Sequence, residues 1–265
     1  MAGERRGASI EIAGLRKEYV SGPGRVLALD HIDLTIAPGE FVCIVGPSGC
    51  GKSTLLRILA GLDTQTDGSF KVEAPGWPVK NAMVFQESGL FPWMSVESNV
   101  GFGLMTRGVP ADEADERVEA ALKLVGLTKF RRHYPHQLSG GMRQRSAIAR
   151  AFVTDPGVLL MDEPFAALDA QNRVILQAEL VRIWEHTRKT VVYITHSIEE
   201  ALLLGDRTVV MTAQPGRIKQ IIDVPFQHPR NLMTLSASAE FGKLKLDIWR
   251  VLEDEVMRAR AEAEK

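Results

Sequence analysis

The chain has 265 residues, 45% hydrophobic and 25% charged, with a formal net charge of −1. That length allows one large or two small domains with a real core, and that charge gives no indication of a strongly basic nucleic-acid binder or an acidic tail. Two cysteines, Cys43 and Cys50, are too few for a disulfide framework and have no metal-ligand spacing.

The N-terminal stretch MAGERRGASIEIAG has no apolar segment of signal-peptide length, and no run reaches the roughly 18–20 apolar residues that span a bilayer. The expectation is a soluble chain in a reducing compartment, reaching a membrane only through a partner. After a polar tail at 1–8, residues 10–20 read as a strand, SGPGR at 21–25 as a turn, and IDLTI at 32–36 as an alternating strand. FVCIV at 41–45 is wholly apolar, the pattern of a strand buried on both faces. A glycine loop follows at 46–51, and STLLRILAGL then reads as a helix. Short strand patterns occupy 69–85.

From about 86 to 152 the pattern turns helical. Acidic residues open a helix at 112–125, and Gly126 is placed to end it. Ser139 is placed to cap a further helix. The basic spots at Arg131-Arg132 and from Arg143 to Arg150 read as solvated faces. VLLM at 158–161 is another doubly buried strand, 174–187 a helix and TVVYIT at 190–195 a strand. Ser197 with Glu200 reads as a capping box. Two short strands flank a PGR turn within 208–224. Phe241, Leu244, Ile248, Val251, Leu252 and Val256 then fall at helical spacing, the face of a helix that packs on the main body or, alternatively, binds a partner. Alternating strands and helices define an α/β fold with a largely parallel sheet.

GPSGCGKST, residues 46–54, is a phosphate-binding loop in the right context, strand before and helix after. Gly46, Pro47, Ser48, Gly49, Cys50 and Gly51 supply a curled backbone whose N–H groups face phosphate oxygens, and the helix N-terminus adds its dipole. Lys52 places a cation on the β- and γ-phosphates, Ser53 offers its hydroxyl to Mg²⁺, and Thr54 completes the loop. VLLMDEP ends a buried strand in two carboxylates: Asp162 for the Mg²⁺ shell, and Glu163 to orient or deprotonate the attacking water. The stretch LSGG places Ser139, Gly140 and Gly141 at a helix start, a second anion site by the same physics.

With these three motifs in this order, the chain resembles the ATPase subunits of ATP-binding-cassette (ABC) transporters over roughly residues 8–225. The resemblance implies a P-loop NTPase (RecA-like) core with a mainly parallel sheet, an antiparallel β subdomain and a helical subdomain. It divides the chain into an ATPase domain at 8–230, with helical residues 87–152 inserted, and a C-terminal helical extension at 231–265. It also implies that Tyr19 stacks on adenine and that Gln86 reaches the Mg²⁺ and water site. Asp169 matches a loop that crosses between subunits, and His196 matches the histidine on the γ-phosphate. In such proteins the signature of one subunit closes on the phosphate loop of another, so Ser139, Gly140 and Gly141 act in trans within a homodimer. Met142, YPHQ and LFPW resemble the importer branch for nitrate, sulfonates and taurine.

The expected protein is thus an ATP-hydrolysing subunit, peripheral on the cytoplasmic face of the membrane. It would serve integral permease subunits and, through them, an external solute-binding protein, with no nucleic-acid partner. The alternative is a non-transport ABC ATPase acting on nucleic acid or ribosomes. Such proteins carry long coiled coils or two cassettes in one chain, and neither feature is in this sequence.

Overall fold

The computed structural model describes residues 7–21, 24–74, 76 and 79–263. The tail at 1–6 and the middle of the SGPGR turn lie outside them. Among the described residues, strands form two sheets. The first is antiparallel: β1 (Ser9–Ser21) lies between β2 (Gly24–Ile36) and β4 (Asp67–Glu73). The second has the order β5 (Asn81–Val84), β6 (Val158–Asp162), β7 (Thr190–Ile194), β3 (Phe41–Val45), β8 (Arg207–Met211), β9 (Ile218–Asp223). Every neighbouring pair is parallel except β8 and β9.

The apolar runs make this second sheet a partition between two cores. All five residues of β3 and all five of β7 are buried. Phe41, Cys43 and Val45 face one core, with Leu159, Met161 and Tyr193. Val42 and Ile44 face the other, with Leu160, Val192, Ile194 and helix α1 (Lys52–Leu59). The antiparallel sheet covers α1 through Ile10, Leu29 and Ile32.

The first core is covered by helices. α2 (Val96–Met105), α3 (Ala111–Leu124) and α4 (Gly140–Phe152) pack on one another within the stretch read as helical. Arg131 pins α2 to α3, pairing with Glu97 at 2.6 Å, Asp115 at 3.0 Å and Glu119 at 3.1 Å. That corrects its reading as part of a merely solvated face. α5 (Ala170–Thr187) and α6 (Ile198–Leu204) follow, then the short α7 (Leu232–Ser236) and α8 (Ala239–Ala263). Along α8, Phe241, Ile248 and Leu252 are buried on the main body, as their spacing predicts.

Trp184 anchors α5. It is 1% exposed, meets Phe41 edge-on at 5.7 Å and donates its indole N–H to the Lys189 carbonyl at 3.0 Å. Trp184→Ala opens a large cavity and is expected to lower the unfolding free energy by about 3–5 kcal/mol, read by urea denaturation; a loss under about 1 kcal/mol would remove it as the anchor.

Candidate functional site

Register brings the predicted residues together. Val84 pairs with Met161, Asp162 with Ile194, and Ile194 with Ile44. Strands β5, β6, β7 and β3, four of the five parallel strands, therefore end at one level. Gln86, Glu163, His196 and Gly46 leave the sheet on the same edge, in the crevice at the carboxyl ends where open α/β sheets bind ligands.

The phosphate loop is shaped by steric demand. Gly51 is the N-cap of α1 at φ +98°. A Cβ there would lie 2.6 Å from Leu29 Cδ2 and 2.8 Å from the Ala28 carbonyl oxygen, so glycine is required for space as well as for conformation. Gly49 is at φ +78°, and with Ser48 it is exposed at the loop tip. The first-turn N–H groups of α1 lack intrahelical acceptors, and the helix dipole makes them an anion cradle. Lys52 is buried, its Nζ donating to the carbonyls of Gly46 at 2.9 Å and Pro47 at 2.7 Å. The Cys50 thiol is also buried, and burial pushes it up against the opposing pull of Lys52.

Carboxylates meet this loop from β6. Ser53 Oγ donates to Asp162 Oδ1 at 3.0 Å, which places a hydroxyl and a carboxylate within reach of one cation. Both are hard oxygen donors of the kind Mg²⁺ prefers. Among the described residues no cluster of three or more His, Cys, Asp or Glu is placed to hold a metal ion.

Glu163 follows at φ +46°, its N–H bonded to the Ile194 carbonyl at 3.0 Å and its carboxylate 2.6 Å from His196 Nε2. A non-glycine residue in the left-handed region is costly and persists only where its surroundings impose it. Burial pushes the Glu163 carboxyl above the ordinary range, against the opposing charges of His196 and Lys52. Such a shift brings a carboxylate toward the range of a useful general base.

Tyr19 stands near the loop, 38% exposed, its hydroxyl donating to Asp63 at 2.7 Å and lying 3.5 Å from Thr54 Oγ1. Lys17 Nζ sits 4.6 Å from the ring centroid. Gln86 is exposed in the loop after β5. Asp169 caps α5, accepting from the backbone N–H of Asn172 at 2.9 Å, and the Asn172 hydrogen bonds hold its carboxyl below the ordinary range.

Ser139 caps α4 and accepts from Met142 N–H at 3.3 Å; Ser139 and Gly140 are exposed. Among the described residues no hydrogen bond or ion pair joins Ser139, Gly140 or Gly141 to the loop at 46–54. A Cβ would meet nothing nearer than 3.8 Å at Gly140 or 3.9 Å at Gly141. The chain's own packing therefore does not demand glycine at either position.

Two supporting residues escaped the sequence reading. Arg150, taken as part of a solvated face, is half-buried: it donates to the carbonyls of Ser88 at 2.9 Å and Gly89 at 2.8 Å and so holds the loop of Gln86. Glu200 does not close a reciprocal capping box. Ser197 Oγ accepts from Glu200 N–H at 3.2 Å, but the Glu200 carboxylate turns inward. It accepts from Gln177 at 2.7 Å, from Tyr193 at 3.3 Å and from Thr195, whose hydroxyl also receives Ser197 N–H at 2.9 Å. Three buried donors outcompete one partly exposed backbone N–H, and the network fixes the segment that carries His196. No short motif marks either residue; only their tertiary neighbours do.

The fold and this edge define a P-loop nucleotide-hydrolysing domain. Residues 29–166 match the ABC transporter family model. The chain is 41% identical to the taurine import ATP-binding protein of Roseobacter denitrificans, covering 97% of this chain and 99% of that one. It is 41% identical to the aliphatic sulfonates import ATP-binding protein of Bacillus subtilis (85% and 89% covered) and 45% identical to the nitrate import ATP-binding protein of Synechocystis (81% and 82%). A solved ATP-binding cassette, MJ0796, dimeric in a post-hydrolysis state with ADP and Pi, superposes with a TM-score of 0.72 at 32% identity, over 82% of this chain and all of that one. The chain belongs to the ABC transporter family and is an ATPase subunit resembling the importer branch of these relatives.

Glu200→Ala strands buried donors that each cost about 1–3 kcal/mol when unpaired. The expected loss is roughly 2–4 kcal/mol in chemical denaturation, with Glu200→Gln less affected; equal stability of both variants and wild type would dismiss the network.

Proposed function

We propose that this chain hydrolyses Mg·ATP as one half of a homodimer that drives uptake of a small anion, in the class of nitrate, a sulfonate or taurine. The observation that carries it is the convergence of the phosphate loop, the Ser53–Asp162 pair and the Glu163–His196 pair on one sheet edge. In this reading Gly46 to Thr54 cradle the triphosphate, Lys52 turns from loop carbonyls to the β- and γ-phosphates, and Tyr19 stacks on adenine. Ser53, Asp162 and Gln86 would hold Mg²⁺, which would supply positive charge against the phosphates. Glu163 orients and deprotonates the attacking water, and His196 contacts the γ-phosphate while holding Glu163 in place.

Ser139, Gly140 and Gly141 serve the partner copy's nucleotide, and Asp169 lies at the crossing between copies. The support is that these glycines have no internal steric cause, as expected where a foreign phosphate must approach the backbone closely. The dimeric state of the MJ0796 cassette supports the same arrangement. Residues 8–230 form the ATPase domain, with 87–152 as its helical subdomain and 231–265 as its extension. No described helix is long and apolar enough to cross a membrane. The subunit acts from the cytoplasmic face beneath permease subunits, fed by an external solute-binding protein, as the import names of the relatives suggest.

Glu163→Gln is expected to bind ATP, to accumulate as a nucleotide-dependent dimer in size-exclusion chromatography, and to lose at least about 100-fold in turnover; near-normal phosphate release would remove Glu163 from its role. Gly140→Asp should leave ATP binding by the isolated subunit intact and block both dimer closure and turnover. Normal hydrolysis by that variant would refute action in trans.

A further inference from the structure

Hydrolysis leaves two features unused, the turn between β8 and β9 and the long α8, and the two are joined. The turn TAQPGR spans 212–217. Its Gly216 N–H donates to the Ala28 carbonyl, and Asp30 N–H donates back to the Gly216 carbonyl, each at 2.9 Å. A Cβ at Gly216 would lie 2.0 Å from the Cys50 carbonyl oxygen, so the turn backbone is pressed against the phosphate loop itself. The end of β8 touches the same loop: a Cβ on Gly46 would lie 3.1 Å from Met211 Cβ. The turn is stiffened from within, Arg217 N–H donating to Thr212 Oγ1 at 2.9 Å.

On its far side the turn is gripped by Glu255 of α8, a carboxylate only 3% exposed. Oε2 accepts from Ala213 N–H at 2.9 Å and Oε1 from Lys219 Nζ at 2.8 Å. Burial pushes this carboxyl up, yet the bonds from Lys219 and Ala213 hold it below the ordinary range, so it bonds the turn as a carboxylate. Burying a charge is unfavourable unless it is paired, and charge-assisted bonds of this kind are the strong ones.

We infer that Glu255 is a positioning residue for nucleotide binding: it clamps the 212–217 turn onto the Cys50–Gly51 backbone and thereby sets the affinity of the phosphate loop for the triphosphate. The C-terminal helix is then a brace of the nucleotide site. The inference rests on the proposed assignment of residues 46–54 to ATP.

The test uses the full chain in four variants. Glu255→Ala raises both KM and Kd for Mg·ATP about fivefold or more while kcat stays within about twofold. It also speeds amide hydrogen exchange in residues 46–51 as well as in 212–217. Glu255→Gln keeps an acceptor for Ala213 N–H and returns KM to within about twofold of wild type. Gly216→Ala, which pushes on the Cys50 carbonyl from the turn side, reproduces the KM increase and carries the test if Glu255→Ala does not fold. Wild-type KM in Glu255→Ala or in Gly216→Ala, or faster exchange confined to 212–217, overturns the inference. Lys52→Ala separates it from its premise. If Lys52→Ala loses ATP while Glu255→Ala binds normally, only the brace is wrong; if Lys52→Ala binds ATP like wild type, the phosphate-loop assignment is wrong.

Discussion

Burial of the parallel sheet on both faces is the constraint on which everything else depends. β3 and β7 expose no residue along their length, and β6 exposes only its terminal Asp162 partially. A strand hidden on both sides has no place for charge except at its ends. Parallel pairing then brings those ends to a common level. Chemistry is gathered at the edge because the interior cannot hold it.

The charges so gathered need one another. Lys52 is buried and satisfied by loop carbonyls, Asp162 accepts from Ser53, and Glu163 rests on His196. Burial works against the ionised Glu163, and the neighbouring cations work for it. Its left-handed backbone adds strain that the bond from Glu163 N–H to Ile194 helps to hold. Glu200 contributes from behind, tying Thr195 and Tyr193 to α5 so that the residue before His196 has a fixed path.

This division explains what could be read beforehand. The strands were legible because double burial leaves uninterrupted apolar runs, and the phosphate loop because its turn admits only certain residues. Asp162, Glu163 and His196 follow such runs directly, so their common edge could be anticipated. Arg150 and Glu200 were misread because a single charged residue on a helix carries no local sign of whether it faces water or a buried carbonyl. Glu255 was hidden in the same way, one acid among several in an amphipathic tail. The strand β2 is longer than the sequence pattern indicates, since its first three residues are exposed and the stretch before 32–36 lacks the alternation seen there.

Helix α4 connects the two parts of the proposed composite site. Its N-terminus presents Ser139 and Gly140 to the exterior, while Arg150 near its other end grips the loop of Gln86. Thirteen helical residues make a rod about 20 Å long. Six of its side chains between Ser146 and Phe152 are buried, so the rod is embedded in the helical layer over that half. A load applied at the Gly140 end is therefore carried by a stiff element whose other end holds the loop of Gln86. In the proposed reading, the end of α4 that faces the partner copy and the end that holds the loop of Gln86 belong to one continuous helix.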